Sequence, residues 1–258
     1  MTDRLEVTTP DGHRISYTRT GRGPALVLLP GLLMSATNWH ERGYVDHFAS
    51  RRCVLAIDPL GHGASDKPHD TEAYTLERLA EHTTAVLDAE GFEQADLWGY
   101  SRGALLLAAM MQHRPERVRT AIAGGIDLTA LAPAPDAGSV TGKRPSAFLR
   151  DGDWDGYWKT FPFTVPDDMK LRAEREADPL AIAALMDAEY TLAFDPTQFP
   201  GLVYVGDGEP FAERTVEIAG LLGLPCEVLP TGDHVQTSQA AHVVCPLVEK
   251  VLDEHSPC

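Results

Sequence analysis

The stretch Ala95 to Met111, ADLWGYSRGALLLAAMM, sets an apolar run, the pentapeptide Gly99-Tyr100-Ser101-Arg102-Gly103 and a strongly helical run end to end. The pentapeptide is G-x-S-x-G. Between a strand and a helix, this pattern matches a nucleophile elbow, a sharp strained turn that holds a serine hydroxyl out from the sheet edge. Gly99 and Gly103 have a steric reason to lack side chains, because such a turn brings strand and helix backbones together. The helix then starts directly behind Ser101. Its unpaired N–H groups and positive dipole end lie where a tetrahedral oxyanion would form.

Outward from the elbow, the chain alternates strands and helices. Leu5 to Thr9 and His13 to Arg19 are expected to form an antiparallel hairpin across Pro10-Asp11-Gly12. Ala25 to Leu29 and Cys53 to Ile57 are continuous apolar runs, as strands buried on both faces require. A helix is expected from Thr37-Asn38 to about Ser50, and another from Thr75 to Glu90, stopped by Gly91. Val118 to Ala123 is the strand after the elbow helix. The pattern predicts a mostly parallel sheet covered by helices on both faces.

The alternation breaks at Gly124-Gly125-Ile126-Asp127 and resumes at Leu202-Val203-Tyr204-Val205. Between them lie a Pro/Ala loop at Ala132 to Pro135 and short helices near Phe148 to Lys159, Pro166 to Ala177 and Pro179 to Leu192. A helix over Phe211 to Leu222, a strand over Cys226 to Leu229 and a helix from His242 to Leu252 complete the chain.

The 258 residues suit one α/β domain with an insertion. A formal charge of −16 argues against a nucleic-acid backbone or an anionic membrane as partner. The first twenty residues alternate polar and apolar without a signal-peptide core, and no stretch is long enough to span a bilayer, so a soluble cytoplasmic protein is expected. Cys53, Cys226, Cys245 and Cys258 form no C-x-x-C pair and read as reduced thiols. No histidine pattern has metal-ligand spacing, and neither a metal nor a cofactor is expected.

Ligands of an open parallel sheet bind past the carboxyl ends of its strands, and four segments fall there. Pro30-Gly31-Leu32-Leu33 follows one strand, and the backbone N–H groups of Leu32 and Arg102 are the candidate oxyanion donors. Gly206-Asp207-Gly208-Glu209 carries two carboxylates, and Pro230-Thr231-Gly232-Asp233-His234 carries a histidine. Ser101, an acid, then His234 is the chain order of an elbow-type triad, with His234 as the proton acceptor.

With these segments in place, the chain resembles the α/β-hydrolase superfamily, in the serine-nucleophile branch with a small helical cap after the sixth strand. Asp58-Pro59-Leu60-Gly61-His62-Gly63-Ala64-Ser65 is similar to that branch's D-x-x-G-x-G-x-S loop, and Pro30-Gly31 stands where most members have His-Gly. The resemblance implies a core of residues 1–126 and 199–258 and a cap of residues 127–198. It also implies that Glu209 is the triad acid, at a position where Asp is usual, with Asp207 and then Asp127 as alternatives. His62 then belongs to a structural turn. Arg102 stands where Met, Leu or Gln is common, and its side chain is expected in a salt bridge within the protein. Leu33, with Leu32 and Met34, and the cap aromatics Trp154 and Trp158 are the expected substrate contacts, chosen from a cap that also carries Phe148, Tyr157, Phe161 and Phe163.

The expected activity is cofactor-independent hydrolysis of a small hydrophobic carboxylic ester or lactone, by a monomer or small homo-oligomer. A serine nucleophile argues against the epoxide-hydrolase and haloalkane-dehalogenase chemistry of relatives that use a carboxylate. Carbon–carbon bond hydrolysis, perhydrolysis or a lyase reaction on the same fold are the alternatives, and a ligand-binding protein with little turnover is the alternative from another class.

Overall fold

The computed structural model describes residues 4–131, 143–189, 192–193 and 198–255. Strands β1 (Arg4–Thr8), β2 (Arg14–Thr20), β3 (Ala25–Leu29), β4 (Cys53–Ile57), β5 (Ala95–Tyr100), β6 (Val118–Gly124), β7 (Gly201–Gly206) and β8 (Cys226–Leu229) make one sheet in the order β1-β2-β4-β3-β5-β6-β7-β8. β1 pairs antiparallel with β2 and β2 antiparallel with β4, whereas every other pair is parallel. Every residue of β3, β4 and β5 is buried, which is why these runs are apolar throughout and do not alternate.

Alternate residues of these strands serve two separate cores. Val27, Leu29, Leu55 and Leu97 face one side, and Leu26, Leu28, Val54 and Trp98 the other. Helices α1 (Ala36–Glu41) and α2 (Tyr44–Phe48) pack on the Trp98 side, and α3 (Leu76–Ala89) and α4 (Arg102–His113) on the opposite side. Trp98 meets Trp39, Tyr44 and Phe48 edge-on at centroid distances of 5.0, 5.1 and 5.9 Å, and its Nε1–H donates to the Tyr204 hydroxyl at 3.0 Å. Each edge-on pair contributes about 0.5–1.5 kcal/mol beyond its buried area, so the strand leading to Ser101 is held firmly.

Between β6 and β7 lie α5 (Pro145–Arg150), α6 (Trp154–Trp158), α7 (Asp167–Glu176) and α8 (Pro179–Asp187). α9 (Ala212–Leu222), α10 (His234–Gln239) and α11 (Ala241–Glu254) follow, and α11 packs on the Trp98 side. Two helices expected as single pieces are divided. Gly43, at φ 80°, separates α1 from α2, and Gly152, at φ 70°, precedes the Asp153 carboxylate that caps α6. α8 ends at Asp187 and not at Leu192. α10 was not expected. The loop Ala132 to Pro135 and Cys258 lie outside the described residues, and Cys53, Cys226 and Cys245 are free thiols.

The loop after β4 is organised by one buried carboxylate. Asp58 Oδ1 accepts from Ala36 N–H at 2.7 Å and Oδ2 from Ala64 N–H at 2.9 Å, and Arg4 forms an ion pair with it. It thereby joins β1, the start of α1 and the loop that carries His62. His62 is itself buried with Nδ1 3.3 Å from the Leu60 carbonyl. Burial, with a further contribution from the Arg102 charge, lowers its pKa from 6.5 to about 4. Between those values the unfolded chain binds a proton that the folded chain does not, so stability falls as pH drops through this window. Buried His82, also lowered, acts with the same sign. Urea melts at about pH 7 and about pH 4.5 should therefore show a loss of stability, of which His62→Gln removes about 2 kcal/mol. An unchanged pH difference in that variant would contradict the assignment.

Candidate active site

β5 runs without a break into Ser101, which has φ 55° and ψ −119°. Among the described residues, only Leu33 shares a positive φ outside glycine. A Cβ on Gly99 would lie 2.1 Å from the Gly103 carbonyl oxygen, and one on Gly103 would lie 2.0 Å from that of Leu29. The motif's two glycines are what allow β5, α4 and the end of β3 to meet. The serine's conformation costs about 1–3 kcal/mol and persists only if its surroundings hold it. They do: Ser101 N–H donates to the Gly124 carbonyl at 2.8 Å, and α4 begins at the next residue.

His234 is fixed by its place at the start of α10. Asp233 caps that helix, accepting from Val235 N–H at 3.0 Å and Gln236 N–H at 2.9 Å, and Gln236 returns a bond to the Asp233 N–H at 2.9 Å. The His234 Nδ1 lies 2.8 Å from Oε2 of Glu209, whose side chain is fully buried and whose Oε1 accepts from Gly206 N–H at 3.1 Å. Donation from Nδ1–H to the carboxylate leaves the lone pair on Nε2. The imidazole packs between Phe163 and Tyr100, at centroid distances of 4.4 and 5.1 Å, with Phe211 at its edge at 5.8 Å. The Tyr100 hydroxyl also donates to the His234 carbonyl at 2.6 Å. Burial first, and then the Glu209 charge, raise the Tyr100 pKa well above its ordinary value, so it stays a phenol donor.

The other two acids are engaged elsewhere. Asp207 Oδ1 accepts from Gly232 N–H at 2.8 Å and so clasps the two loops that carry Glu209 and His234. Asp127 is in an ion pair with Arg214 and accepts from Thr129 N–H at 3.0 Å.

Ser101 and His234 line two compartments. The smaller, about 80 Å³, is walled by Leu32, Leu33, Met34, Trp158, Phe161 and Met169. The larger, about 370 Å³, opens past Arg102, Leu105, Asp127, Met186 and Phe211. Leu33 and Trp158 are thus placed beside Ser101. Trp154 lines neither compartment; it stacks on Trp158 at 5.7 Å and meets Tyr157 edge-on at 5.8 Å, a supporting position behind the wall. Phe163 and Phe161 come from the aromatic run, but Met169, Phe211 and the role of Tyr100 had no signal that separated them from core residues. Leu32 sits in a turn closed by Met34 N–H donating to the Gly31 carbonyl at 3.1 Å, a bond that leaves the Leu32 amide out. Arg102 is the first residue of α4, where N–H groups lack intrahelical partners. Its guanidinium donates to the Leu185 carbonyl of α8 at 3.4 Å. Among the described residues, no three His, Cys, Asp or Glu side chains gather where they could hold a metal ion, and no helix is long and apolar enough to cross a membrane.

Comparison with known proteins fits this geometry. The profile of the alpha/beta hydrolase fold matches residues 24–161. Over 130 residues the chain is 35% identical to bifunctional epoxide hydrolase 2 of Mus musculus, covering 50% of this chain and 23% of that protein. It is 36% identical over 115 residues to 2-hydroxymuconate semialdehyde hydrolase of Pseudomonas sp. (strain CF600), covering 44% and 40% of the two chains. It is 39% identical over 108 residues to the pimeloyl-[acyl-carrier protein] methyl ester esterase of Aeromonas hydrophila, covering 42% and 40%. The chain therefore spans less than half the length of these curated relatives. A thermophilic esterase from Thermogutta terrifontis, 19% identical, superposes with a TM-score of 0.81 over 99% of this chain and 100% of its own, a likeness of fold. By its sheet order, its strained serine turn and the profile match, the chain belongs to the alpha/beta hydrolase fold family.

Proposed function

We propose that the protein is a cofactor-independent serine hydrolase that cleaves a carboxylic ester or lactone through an acyl-enzyme. The observation that carries this reading is a serine on a strained elbow sharing a cavity with a histidine whose Nδ1 is held by a buried carboxylate. In this reading Ser101 Oγ attacks the carbonyl while His234 Nε2 takes its proton, and Glu209 stabilises the imidazolium. The Leu32 and Arg102 amides receive the developing oxyanion. His234 then gives the proton to the leaving alkoxide. A water, deprotonated by the same imidazole, releases the acid and restores the serine. The similarity to the Aeromonas methyl ester esterase supports ester chemistry. That to the Pseudomonas semialdehyde hydrolase favours, as a second reading, carbon–carbon bond hydrolysis by the same residues.

The helices between β6 and β7 act in this reading as a cap. Trp158, Phe161 and Met169 close the small apolar compartment, which suits the acyl chain, and the wider compartment suits the leaving group.

With p-nitrophenyl esters, Ser101→Ala and His234→Ala should each lower kcat/KM by about 10³-fold or more, and Glu209→Gln by about 10²-fold or more. Asp207→Asn should cost less than about tenfold. Wild type as inert as Ser101→Ala on esters and lactones would overturn the ester reading, and turnover of a vinylogous diketone in its place would establish the second. Across unbranched neutral acyl chains, kcat/KM should rise about fourfold per methylene while the small compartment fills. The gain should stop by about four to six carbons, and a continued rise to decanoyl would place the acyl chain in the wider compartment.

A further inference from the structure

A third cavity, about 770 Å³, adjoins the small compartment and shares Leu33, Met34, Met169 and Ala173 with it. Its character is different. It is a polar cleft between α1, the Gly61–Ala64 loop and α7, and three arginines line it in a protein of formal charge −16: Arg4, Arg42 and Arg172. Two of these charges are already matched. Arg4 forms an ion pair with buried Asp58, and Arg172 pairs with Glu41 at 2.6 Å and Glu176 at 3.0 Å.

Arg42 differs. It is the residue that ends α1, it is half-buried, and it makes no ion pair among the described residues; its Nη1 lies 3.8 Å from the Met34 sulfur. Burial lowers its pKa, and the neighbouring Arg172 adds to the effect while Tyr44, Tyr100 and Glu41 oppose it. A guanidinium remains charged under such a shift. A desolvated cation without a counter-ion is costly, and the cost is removed when an anion arrives. Asp168, the cleft's other acid, is exposed at the start of α7 and screened by solvent.

Resting on the ester reading above, we propose that Arg42 is a specificity-determining residue that binds a carboxylate at the far end of the acyl chain, making the preferred substrate an ester of a dicarboxylic acid. The chain would leave the Ser101 compartment past Leu33 and Met34, where the apolar wall ends, and place its terminal carboxylate against the guanidinium fork. One unmatched guanidinium suits one bidentate carboxylate. A dianionic phosphate would need a second free cation, and Arg4 and Arg172 are already paired. The same layout predicts that a long neutral chain gains nothing here, because its last methylenes would lie in a polar cleft.

The test compares p-nitrophenyl hemiesters of dicarboxylic acids with neutral p-nitrophenyl alkanoates of equal length, from about four to eight acyl carbons. The readout is the ratio of kcat/KM for the two, which cancels any loss of folded enzyme. In wild type the ratio should exceed one by about tenfold or more at the best length. It should fall about 30-fold in Arg42→Gln, as expected for one lost charge-assisted pair, with Arg42→Lys between. A ratio near one at every length in wild type, or a ratio unchanged in Arg42→Gln, overturns the proposal. Binding of monomethyl adipate and monomethyl pimelate against methyl hexanoate and methyl heptanoate to Ser101→Ala by calorimetry gives a second reading free of turnover. Preference for the acids that vanishes in Ser101→Ala/Arg42→Gln supports Arg42, and equal binding of acids and neutral esters overturns it. Absence of esterase activity together with an Arg42-dependent preference would sink the ester reading and leave the Arg42 assignment standing.

Discussion

Everything in the candidate site depends on how closely three backbones approach at Ser101. Gly99, Gly103 and the Leu29 carbonyl meet at distances that no β-carbon tolerates, and the serine between them takes a left-handed φ of 55° that its own side chain disfavours. The strain is local and the support is distributed. Buried β3 and β6 flank β5, the Trp98 ring is wedged among four aromatic neighbours, and Gly124 receives the serine's amide. A turn of this kind cannot relax without separating β5 from α4. The hydroxyl is therefore presented by the rigidity of the sheet, and no contact to the hydroxyl itself is required for that.

The histidine side is built differently, from loops, and so needs more hydrogen bonds. Asp207 clasps the Glu209 loop to the His234 loop, Asp233 and Gln236 cap the short helix that begins with His234, and the Tyr100 hydroxyl reaches the His234 carbonyl. Tyr100 is the covalent neighbour of Ser101, so one bond sets the height of the histidine relative to the serine. The extra methylene of Glu209 is accommodated because its second oxygen is anchored on the Gly206 amide at the end of β7. Asp at this position would be shorter and would not span both partners from the same backbone.

Legibility in the sequence followed the range of the forces involved. The buried strands were readable because burial on both faces leaves a continuous apolar run, as in Ala25 to Leu29. Ser101 was readable because close approach demands glycines at fixed spacing. The breaks at Gly43 and Gly152 were written in single residues whose effect depends on a positive φ that composition does not announce. α10 carried a usable signal, Asp233 followed three residues later by Gln236, but its polar sequence lacks an apolar stripe. Trp154 and Trp158 are four residues apart on the same short helix, and only tertiary packing decides that one lines the cavity while the other stacks behind it. Arg42 was illegible for the same reason, since its meaning lies in which carboxylates other arginines have already taken.

The division between core and inserted helices also constrains how the site can vary. In the proposed mechanism every group that handles a proton or an oxyanion belongs to the core strands and the loops after them, whereas Trp158, Phe161 and Met169 come from the insertion. Arg102 spans the two. Its backbone amide is fixed at the first position of α4, and its side chain holds α8 through the Leu185 carbonyl. In that mechanism the walls can be substituted to admit another acyl group while the Arg102 amide, the proposed oxyanion donor at the start of the buried helix α4, keeps its place. Substrate range in such an arrangement is set by residues that do none of the chemistry, which is why the family relationship alone does not assign the substrate.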